Sequence, residues 1–324
     1  MNFPVPPPRA LRSLTLTPDG RAGGWRVARE EGPDPAAALI GRTPEEAARL
    51  APLVFNLCGA AHAFAARSAL GLPAAADAET MARETVRDHA LALLHTVPVA
   101  LGMAPDRAAL GLLARPDGAA FHAALVGDAS DVSAFSPSEL EAWLTEAPTP
   151  TARAFARIRE ADPAEGRAHL PELSADVLAA TLARPPAAIG SHRETGALGR
   201  VATTPLMAAL LKSEGPSLFV RLLARLVDGL AHLAPRPSPP LPPGIAPAAR
   251  GLLGHRAEVE GGRVTAYRIL SPSAWNLAPG GLMERAFAAL SPGWRTRWLA
   301  PLLVCAINPC VPVTLSFATE PAYA

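Results

Sequence analysis

The stretch RGLLGHRAEVEGGRVTAYRILSPSAWN, residues 250–276, predicts a β-hairpin. Apolar and polar residues alternate on both sides of Gly261-Gly262, and a glycine pair between two such runs favours a two-residue turn. With that turn, Glu260 faces Arg263. The two strands then run back from the turn side by side, so the hairpin brings its distant ends together.

The open end of this hairpin collects polar groups. If the ladder continues to its ends, Arg250 faces Ser273, although the pairing can stop earlier. In either case Pro272 and Ser273 return to the neighbourhood of Arg250 and His255. A cluster of polar groups at the open end of a hairpin is a candidate site. The alternative is that Arg250 is an ordinary surface or interface arginine.

The composition excludes several classes of partner. Lys and Arg number 30, Asp and Glu number 29, and the formal net charge of +1 marks neither a nucleic-acid surface nor a polybasic membrane patch. Prolines interrupt the first 14 residues where a signal peptide needs an apolar run, and no apolar stretch reaches spanning length. We therefore expect a cytoplasmic protein without a membrane segment, whose three cysteines stay reduced.

Helical patterns surround the hairpin. A capped helix start at Thr43 leads into one or two buried helices over residues 43–71. Residues 78–97 predict a helix with Arg87 and Asp88 on its solvated face and His95 among the apolar positions. Residues 217–233 predict an amphipathic helix capped by Ser217, with its arginines on the polar side.

Three further segments complete the prediction along the chain. Asp19-Gly20 is a turn signal within a short hairpin. The proline-rich residues 234–247 predict an extended linker. An apolar run near the C-terminus breaks at Asn308-Pro309.

The residue pattern alone does not assign a role to the cysteines. Cys58 lies in an apolar, alanine-rich run, and a buried structural thiol is the first interpretation. His62 follows Cys58 by four residues, a spacing that puts both on one helical face. Metal binding by this pair remains open, and packing remains the alternative for His62 and for Cys305.

Several motifs together resemble the large subunit of nickel-iron hydrogenases. NLCG at 56–59 is similar to the family's R-x-C-G-x-C, and RGLLGHR at 250–256 is similar to P-R-G-x-L-x-H. SPSAWN at 271–276 matches P-[ST]-x-W-N, and INPCVP at 307–312 resembles the start of D-P-C-x-x-C-x-x-H. RETGALGR at 193–200 resembles E-T-G-P-L-A-R. The resemblance implies an α+β, mainly helical fold with small β-hairpin elements.

The resemblance also implies one hydrogenase-like domain over residues 1–324. Residues 1–40 would be its variable N-terminal part, and residues 234–247 a proline-rich linker within it. A single domain is expected because both ends of the chain would have to contribute to a common site.

The departures from that family imply a protein that does not turn over hydrogen. Ala61 and Val313 stand where the family has the second cysteine of each pair, so the four-thiolate nickel site is incomplete and no nickel is expected. Asn308 replaces the acidic residue before the last cysteine pair. Ser316 replaces the histidine that marks proteolytic maturation.

The retained residues imply a pocket for iron. By resemblance, Cys58 and Cys310 are thiolate ligands, and Arg250, Pro272 and Ser273 surround the cyanide ligands of the iron. Iron-bound cyanide accepts hydrogen bonds at nitrogen, which a guanidinium and a hydroxyl can donate. Soft thiolates suit low-spin iron.

This combination looks like the HupK/HoxV group of hydrogenase maturation proteins. It implies a non-catalytic scaffold or carrier that holds the Fe(CN)2CO unit transiently before the large subunit receives it. The implied partners are a chaperone complex of the HypC/HypD type and the hydrogenase large subunit. His255 is a further pocket candidate, although it also suits fixing the local backbone.

Two other hypotheses remain. A cofactor-free binding module could mimic the large subunit and occupy a maturation chaperone. An active hydrogenase is disfavoured because nickel has too few thiolates. Trp275 and Asn276 are expected to pack and to fix the turn rather than to contact a cofactor.

Overall fold

The computed structural model describes residues 9–19, 24–73, 78–114, 118–129, 131–184, 191–234 and 240–317. Most of these residues are helical. The α-helices are α1 (Pro44–Val54), α2 (Gly59–Ala69), α3 (Ala78–Leu91), α4 (Val97–Ala100), α5 (Arg107–Leu112), α6 (Gly118–Val126), α7 (Pro137–Glu146), α8 (Pro150–Arg159), α9 (Ala175–Leu182), α10 (Ala197–Val201), α11 (Pro205–Ser213), α12 (Leu218–Ala231), α13 (Pro272–Asn276), α14 (Leu282–Ala288) and α15 (Thr296–Ile307). Short 3-10 turns lie at Pro35–Leu39, Asn56–Cys58 and Val132–Ala134, and a π turn at Ala92–Thr96 joins α3 to α4.

The strands form two small sheets. In the first, β1 (Arg9–Pro18) pairs antiparallel with β2 (Trp25–Pro33) and parallel with β6 (Val313–Leu315). The second has the order β3 (Ile245–Ala248), β4 (Gly251–Glu260) and β5 (Arg263–Leu270). The predicted N-terminal hairpin is confirmed in its two strands, while Gly20 lies outside the described residues.

The hairpin of β4 and β5 has the predicted turn but not the predicted register throughout. Glu260 pairs with Arg263 as expected, yet a bulge next to Val259 shifts the remaining pairs by one residue. The ladder ends where Gly254 meets Leu270. Arg250 therefore does not face Ser273 in the ladder, and it lies instead in the turn between β3 and β4.

The end of the predicted linker belongs to a sheet. Residues 235–239 lie outside the described residues, and Ile245–Ala248 forms the edge strand β3. Pro247 fits there because an edge strand leaves one side without ladder bonds. This strand places the turn that carries Arg250.

The front of the chain forms two helices with a break between them, where the pattern left one or two helices open. Thr43 and Glu46 form a capping box: Glu46 N–H donates to Thr43 Oγ1 at 3.2 Å, and Thr43 N–H donates back to Glu46 Oε2 at 3.0 Å. The chain leaves α1 at Phe55 and enters α2 directly after Cys58. The break presents Cys58 at the N-terminal end of α2.

Helix α12 lies in the core, but its arginines do not face solvent as predicted. Ser217 caps the helix, and every residue from Leu218 to Gly229 is buried. Arg221 and Arg225 are 5% and 3% exposed. A helix buried on all sides can bury cations only if each has a carboxylate or carbonyl partner, which both arginines have.

Helix α15 ends in a left-handed residue. Asn308 has φ 58° and its N–H donates to Val304 O, and Pro309 cannot continue the helix. The chain turns sharply there, as the sequence predicts. Cys310 therefore lies just beyond the helix end and before β6.

Among the residues that the structure describes, no helix is long and apolar enough to cross a membrane.

Gly244 supports the strand pairing next to Arg250 and provides a test of it. Its φ is 78°, and a Cβ there would overlap the carbonyl oxygen of His255. We expect Gly244→Ala to lower the free energy of unfolding in urea by more than about 2 kcal/mol, since backbone strain and steric overlap add.

The matched control is Gly261→Ala, which also has positive φ but nothing within 4 Å of an added methyl group. Gly261→Ala should lose only the free energy of the backbone strain, about 1 kcal/mol. Equal losses in the two variants would show that the contact between Gly244 and His255 does not exist.

Candidate functional site

Arg250 is the centre of the candidate site. Its Nη1 lies 3.2 Å from Cys58 Sγ and 3.5 Å from Leu57 O, and its Nη2 lies 2.6 Å from Asp88 Oδ1. Burial disfavours the charged guanidinium, but Asp88, Cys58 and Cys310 outweigh burial and hold the pKa of Arg250 above its ordinary value. The arginine thus interacts with both cysteines that the motifs single out.

Asp88 holds this centre in place, and its predicted position on a solvated face is wrong. It is 13% exposed, and Asp88 Oδ2 accepts from Arg225 Nη2 at 2.9 Å and from Asn308 Nδ2 at 2.6 Å. Burial alone would raise its pKa, but Arg225 and Arg250 lower it. One ionised carboxylate therefore binds the turn before β4, α12 and the end of α15.

Cys310 is positioned by α13. Its backbone N–H donates to Ser273 Oγ at 2.8 Å, and its Sγ lies 3.8 Å from Ser271 Oγ. Ser271 caps α13, with Pro272 at the first helical position and Ser273 after it. The fold thus brings Cys310 next to Pro272 and Ser273, although the hairpin ladder does not extend to them.

The Cys58 thiol is buried beside a cation. Burial raises its pKa, and the neighbouring Arg250 opposes part of that shift. A metal that replaces the proton would leave a thiolate beside a guanidinium, which is a favourable pair. Cys58 combines low exposure, 6%, with a cation in direct contact.

Cys305 contacts Arg225 rather than Arg250. Its Sγ is 3.7 Å from Arg225 Nη1, and burial raises the pKa of its thiol. Arg225 also donates to the Cys305 carbonyl oxygen. Cys305 thus packs against α12, in agreement with the packing role expected of it.

His89 joins the site to a second carboxylate. Arg225 Nε donates to His89 Nδ1 at 3.1 Å, so Nδ1 carries no proton, and His89 Nε2 donates to Asp228 Oδ2 at 2.8 Å. Asp228 also accepts two bonds from Arg200. Burial lowers the pKa of His89 and keeps the ring neutral.

His255 lies in a separate buried cluster. Its Nε2 is 2.9 Å from His62 Nδ1, and its Nδ1 is 2.8 Å from Tyr267 Oη. His62 stacks on Phe55. These bonds join α2 to the second sheet through side chains, so the ring of His255 neither bonds the backbone, as its alternative role required, nor contacts Arg250.

Asn276 and Trp275 act as packing and turn-fixing residues. Asn276 accepts from Thr195 N–H at 3.0 Å and donates to Thr195 O at 2.7 Å. Trp275 is 2% exposed. The SPSAWN motif therefore holds the RETGALGR segment, as well as placing Ser273.

The donor set fits an ion that brings ligands of its own. Within the described ranges, no group of three or more His, Cys, Asp and Glu side chains is arranged to hold a metal ion. Cys58 and Cys310 offer two sulfurs, and Arg250 and Ser273 offer hydrogen-bond donors beside them. Such a set suits a metal whose remaining ligands accept hydrogen bonds.

Asp88 and Arg225 belong to the site, and neither was predicted from the sequence to do so. The signal for Arg225 was present, because α12 is apolar around much of its circumference and an arginine there must be buried. Asp88 had no such signal, since the charged residues before it are typical of a solvated face. Its partners are more than 100 residues away in sequence.

Comparison with known proteins gives relatives over most of the chain. The chain is 37% identical over 290 residues to hydrogenase expression/formation protein HupK of Rhodobacter capsulatus, covering 87% of this chain and 90% of the relative. It is 28% identical to HupK of Azotobacter vinelandii and 28% identical to HoxV of Cupriavidus necator, over 86% of this chain in each case and 90% and 89% of those proteins. No known family profile matches the chain.

Solved structures give the fold. An NAD+-reducing nickel-iron hydrogenase in the H2-reduced state superposes with a TM-score of 0.51 at 18% identity, over 88% of this chain and 92% of that one. The reduced nickel-iron-selenium hydrogenase of Desulfovibrio vulgaris Hildenborough superposes with a TM-score of 0.53 at 15% identity, over the same shares. The fold is that of nickel-iron hydrogenase large subunits, which confirms the predicted fold class.

Removal of the Asp88 carboxylate tests its role as the shared partner. We expect Asp88→Ala to lower the free energy of unfolding by about 3–5 kcal/mol, because Arg225 and Arg250 are left buried without their carboxylate. The control is Glu160→Ala, which breaks the exposed pair with Arg157 and costs less than about 1 kcal/mol. A loss for Asp88→Ala as small as the control's, in urea unfolding, would contradict the network.

The histidine cluster predicts a loss of stability in acid. Burial lowers the pKa of His62 to about 4 and that of His255 well below its ordinary value of 6.5. The unfolded chain therefore binds more protons below pH 6.5, so stability falls as the pH decreases from there towards 4. The loss between about pH 7 and pH 5 is about 2 kcal/mol per histidine.

Urea unfolding at both pH values measures this loss. His62→Gln keeps a hydrogen-bonding group beside His255 but removes one titrating ring, so its stability should depend less on pH. The control is His95→Gln, because His95 is exposed rather than among the buried positions predicted for it. A pH dependence that is unchanged in His62→Gln would exclude His62 as a source.

Proposed function

Because this chain belongs to the HupK/HoxV family of hydrogenase expression/formation proteins, we propose that it is a non-catalytic scaffold that carries the Fe(CN)2CO unit before the hydrogenase large subunit receives it. Its role in hydrogenase maturation follows from the names of its relatives. Its partners in this proposal are the large subunit and a chaperone complex of the HypC/HypD type.

The observation that carries the proposal is the contact between Arg250 and Cys58. A guanidinium 3.2 Å from a buried sulfur provides cation and ligand together, and the charge of Cys310 also favours the charged form of this arginine. Thiolate charge and cyanide charge would both be offset by Arg250. An ordinary buried thiol needs no such neighbour.

Ser273 adds a hydroxyl to this arrangement. Its oxygen accepts the N–H of Cys310 at 2.8 Å, which leaves the hydroxyl proton to donate elsewhere. A cyanide nitrogen is an acceptor of the required kind. Pro272, buried at the start of α13, directly precedes this hydroxyl and fixes the backbone there.

Two sulfur ligands suit a carrier. With the three diatomic ligands of the iron unit, Cys58 and Cys310 would complete a ligand set without the four thiolates of the hydrogenase site. The raised pKa of Cys58 means that a proton competes with iron for this sulfur. Loading would release the proton, and reprotonation would favour transfer.

A cofactor-free binding module is the second candidate, favoured by an exposed apolar pair. Leu53 and Leu57 are 74% and 59% exposed and lie four residues apart, directly before Cys58. Such side chains suit contact with another protein. In this case the leucines, and not the cysteines, would carry the function.

Infrared spectroscopy of protein purified anaerobically beside the maturation machinery tests the scaffold. We expect carbonyl and cyanide stretching bands in the unaltered protein and their loss in Cys58→Ala and in Cys310→Ala. Ser273→Ala should keep the bands and shift the cyanide stretches, because one hydrogen bond to cyanide is lost. The matched control is Cys305→Ala, which removes a sulfur that contacts Arg225 and should leave the bands unchanged.

Unaltered protein without these bands would contradict the scaffold. Complementation of cells that lack this protein then tests whether the chain is a cofactor-free binding module. If the chain is a cofactor-free module, Cys58→Ala restores hydrogenase maturation in cells that lack this protein, whereas Leu53→Glu with Leu57→Glu does not.

A further inference from the structure

A cavity of about 150 Å³ lies beside Arg250, between the RETGALGR segment, α12 and the end of α15. Its polar lining includes Arg221, Arg250, Glu172, Glu194 and His169. One water molecule takes roughly 30 Å³ in the liquid, so the cavity accommodates a molecule of roughly four to eight non-hydrogen atoms. The iron proposal does not use this space.

Two guanidinium groups of the lining have a buried N–H without a partner. Arg221 is 5% exposed and uses its Nη2 on Ala168 O and Glu194, while its Nε has no hydrogen-bond acceptor in the described chain. Arg250 Nε is likewise buried and without a partner among the described residues. Each such donor costs about 1–3 kcal/mol if nothing accepts from it.

The arginines around the cavity have carboxylate partners on their terminal nitrogens. Arg225 and Arg250 share the single carboxylate of Asp88, and Arg221 pairs with Glu194 at 2.8 Å. Three guanidinium groups thus face two paired carboxylates. The next carboxyl group in the lining is that of Glu172.

Glu172 is the third carboxyl group near these arginines. Burial and the charge of Glu194 raise its pKa, while Arg200 opposes part of that shift. Its carboxyl group also covers Gly199, where an added Cβ would overlap it.

We infer that this cavity binds a small anion with at least two oxygen acceptors, a carboxylate or an oxoanion, which accepts from the Nε–H groups of Arg221 and Arg250. Two donors on separate arginines suit two separate acceptor oxygens. Both donors are N–H groups of charged guanidinium side chains, which bond more strongly to an anion than to an uncharged acceptor.

Gly196 allows the cavity to be filled without touching the arginine side chains. It lines the cavity in an extended conformation that any residue adopts, and only Arg250 O, at 3.9 Å, lies near a Cβ placed there. Gly196→Val therefore adds its methyl groups to open space. Its control is Gly118→Val, at an exposed helix start with nothing within 4 Å of the added Cβ.

The experiment is isothermal titration calorimetry of the full chain with formate, acetate, hydrogencarbonate and phosphate in turn. We expect saturable one-to-one binding of at least one of them, weakened at least about tenfold in Gly196→Val and in Arg221→Gln, since each removes space or a charged donor. Gly118→Val and Arg157→Gln, which removes an exposed cation, should bind as the unaltered chain does. Circular dichroism of each variant checks its folding.

Several outcomes would overturn the inference. Absence of saturable binding by all four anions means that water alone fills the cavity, and equal affinity in Gly196→Val means that the anion binds elsewhere. Gly196→Val decides the matter even if Arg221→Gln fails to fold with Glu194 unpaired. Cys58→Ala should still bind the anion, so this result is independent of the iron proposal.

Discussion

The shared carboxylate of Asp88 is the interaction on which the candidate site depends. It accepts from Arg225 on α12, Arg250 in the turn before β4 and Asn308 at the end of α15. These partners lie between 137 and 220 residues away along the chain. Because a buried guanidinium needs a carboxylate and a buried carboxylate needs cations, the three segments stabilise one another only when all meet.

The same network determines how the candidate ligand Cys58 behaves. Arg250 has Asp88 as its counter-ion and also contacts the Cys58 sulfur, whose pKa is raised by burial. In the proposed scaffold, iron would replace the thiol proton, and the return of the proton would favour release.

Local patterns in the sequence predicted the β4–β5 turn, the helix start at Thr43 and the end of α15 at Asn308. The motif resemblance predicted the fold. Prediction failed where the deciding partner is remote, because periodicity assigns a charged residue such as Asp88 to solvent unless its distant counter-ions are known. The pairing of β6 with β1 was missed for the same reason, because it joins segments from opposite ends of the chain.

In the proposed site, Cys58 and Cys310 bind one iron atom beside Arg250. Iron K-edge X-ray absorption of the anaerobically purified protein measures the first coordination shell directly. We expect two sulfur scatterers together with the carbon scatterers of diatomic ligands, and a single sulfur in either cysteine-to-serine variant. A first shell of oxygen and nitrogen alone, or one unchanged in both variants, would contradict it.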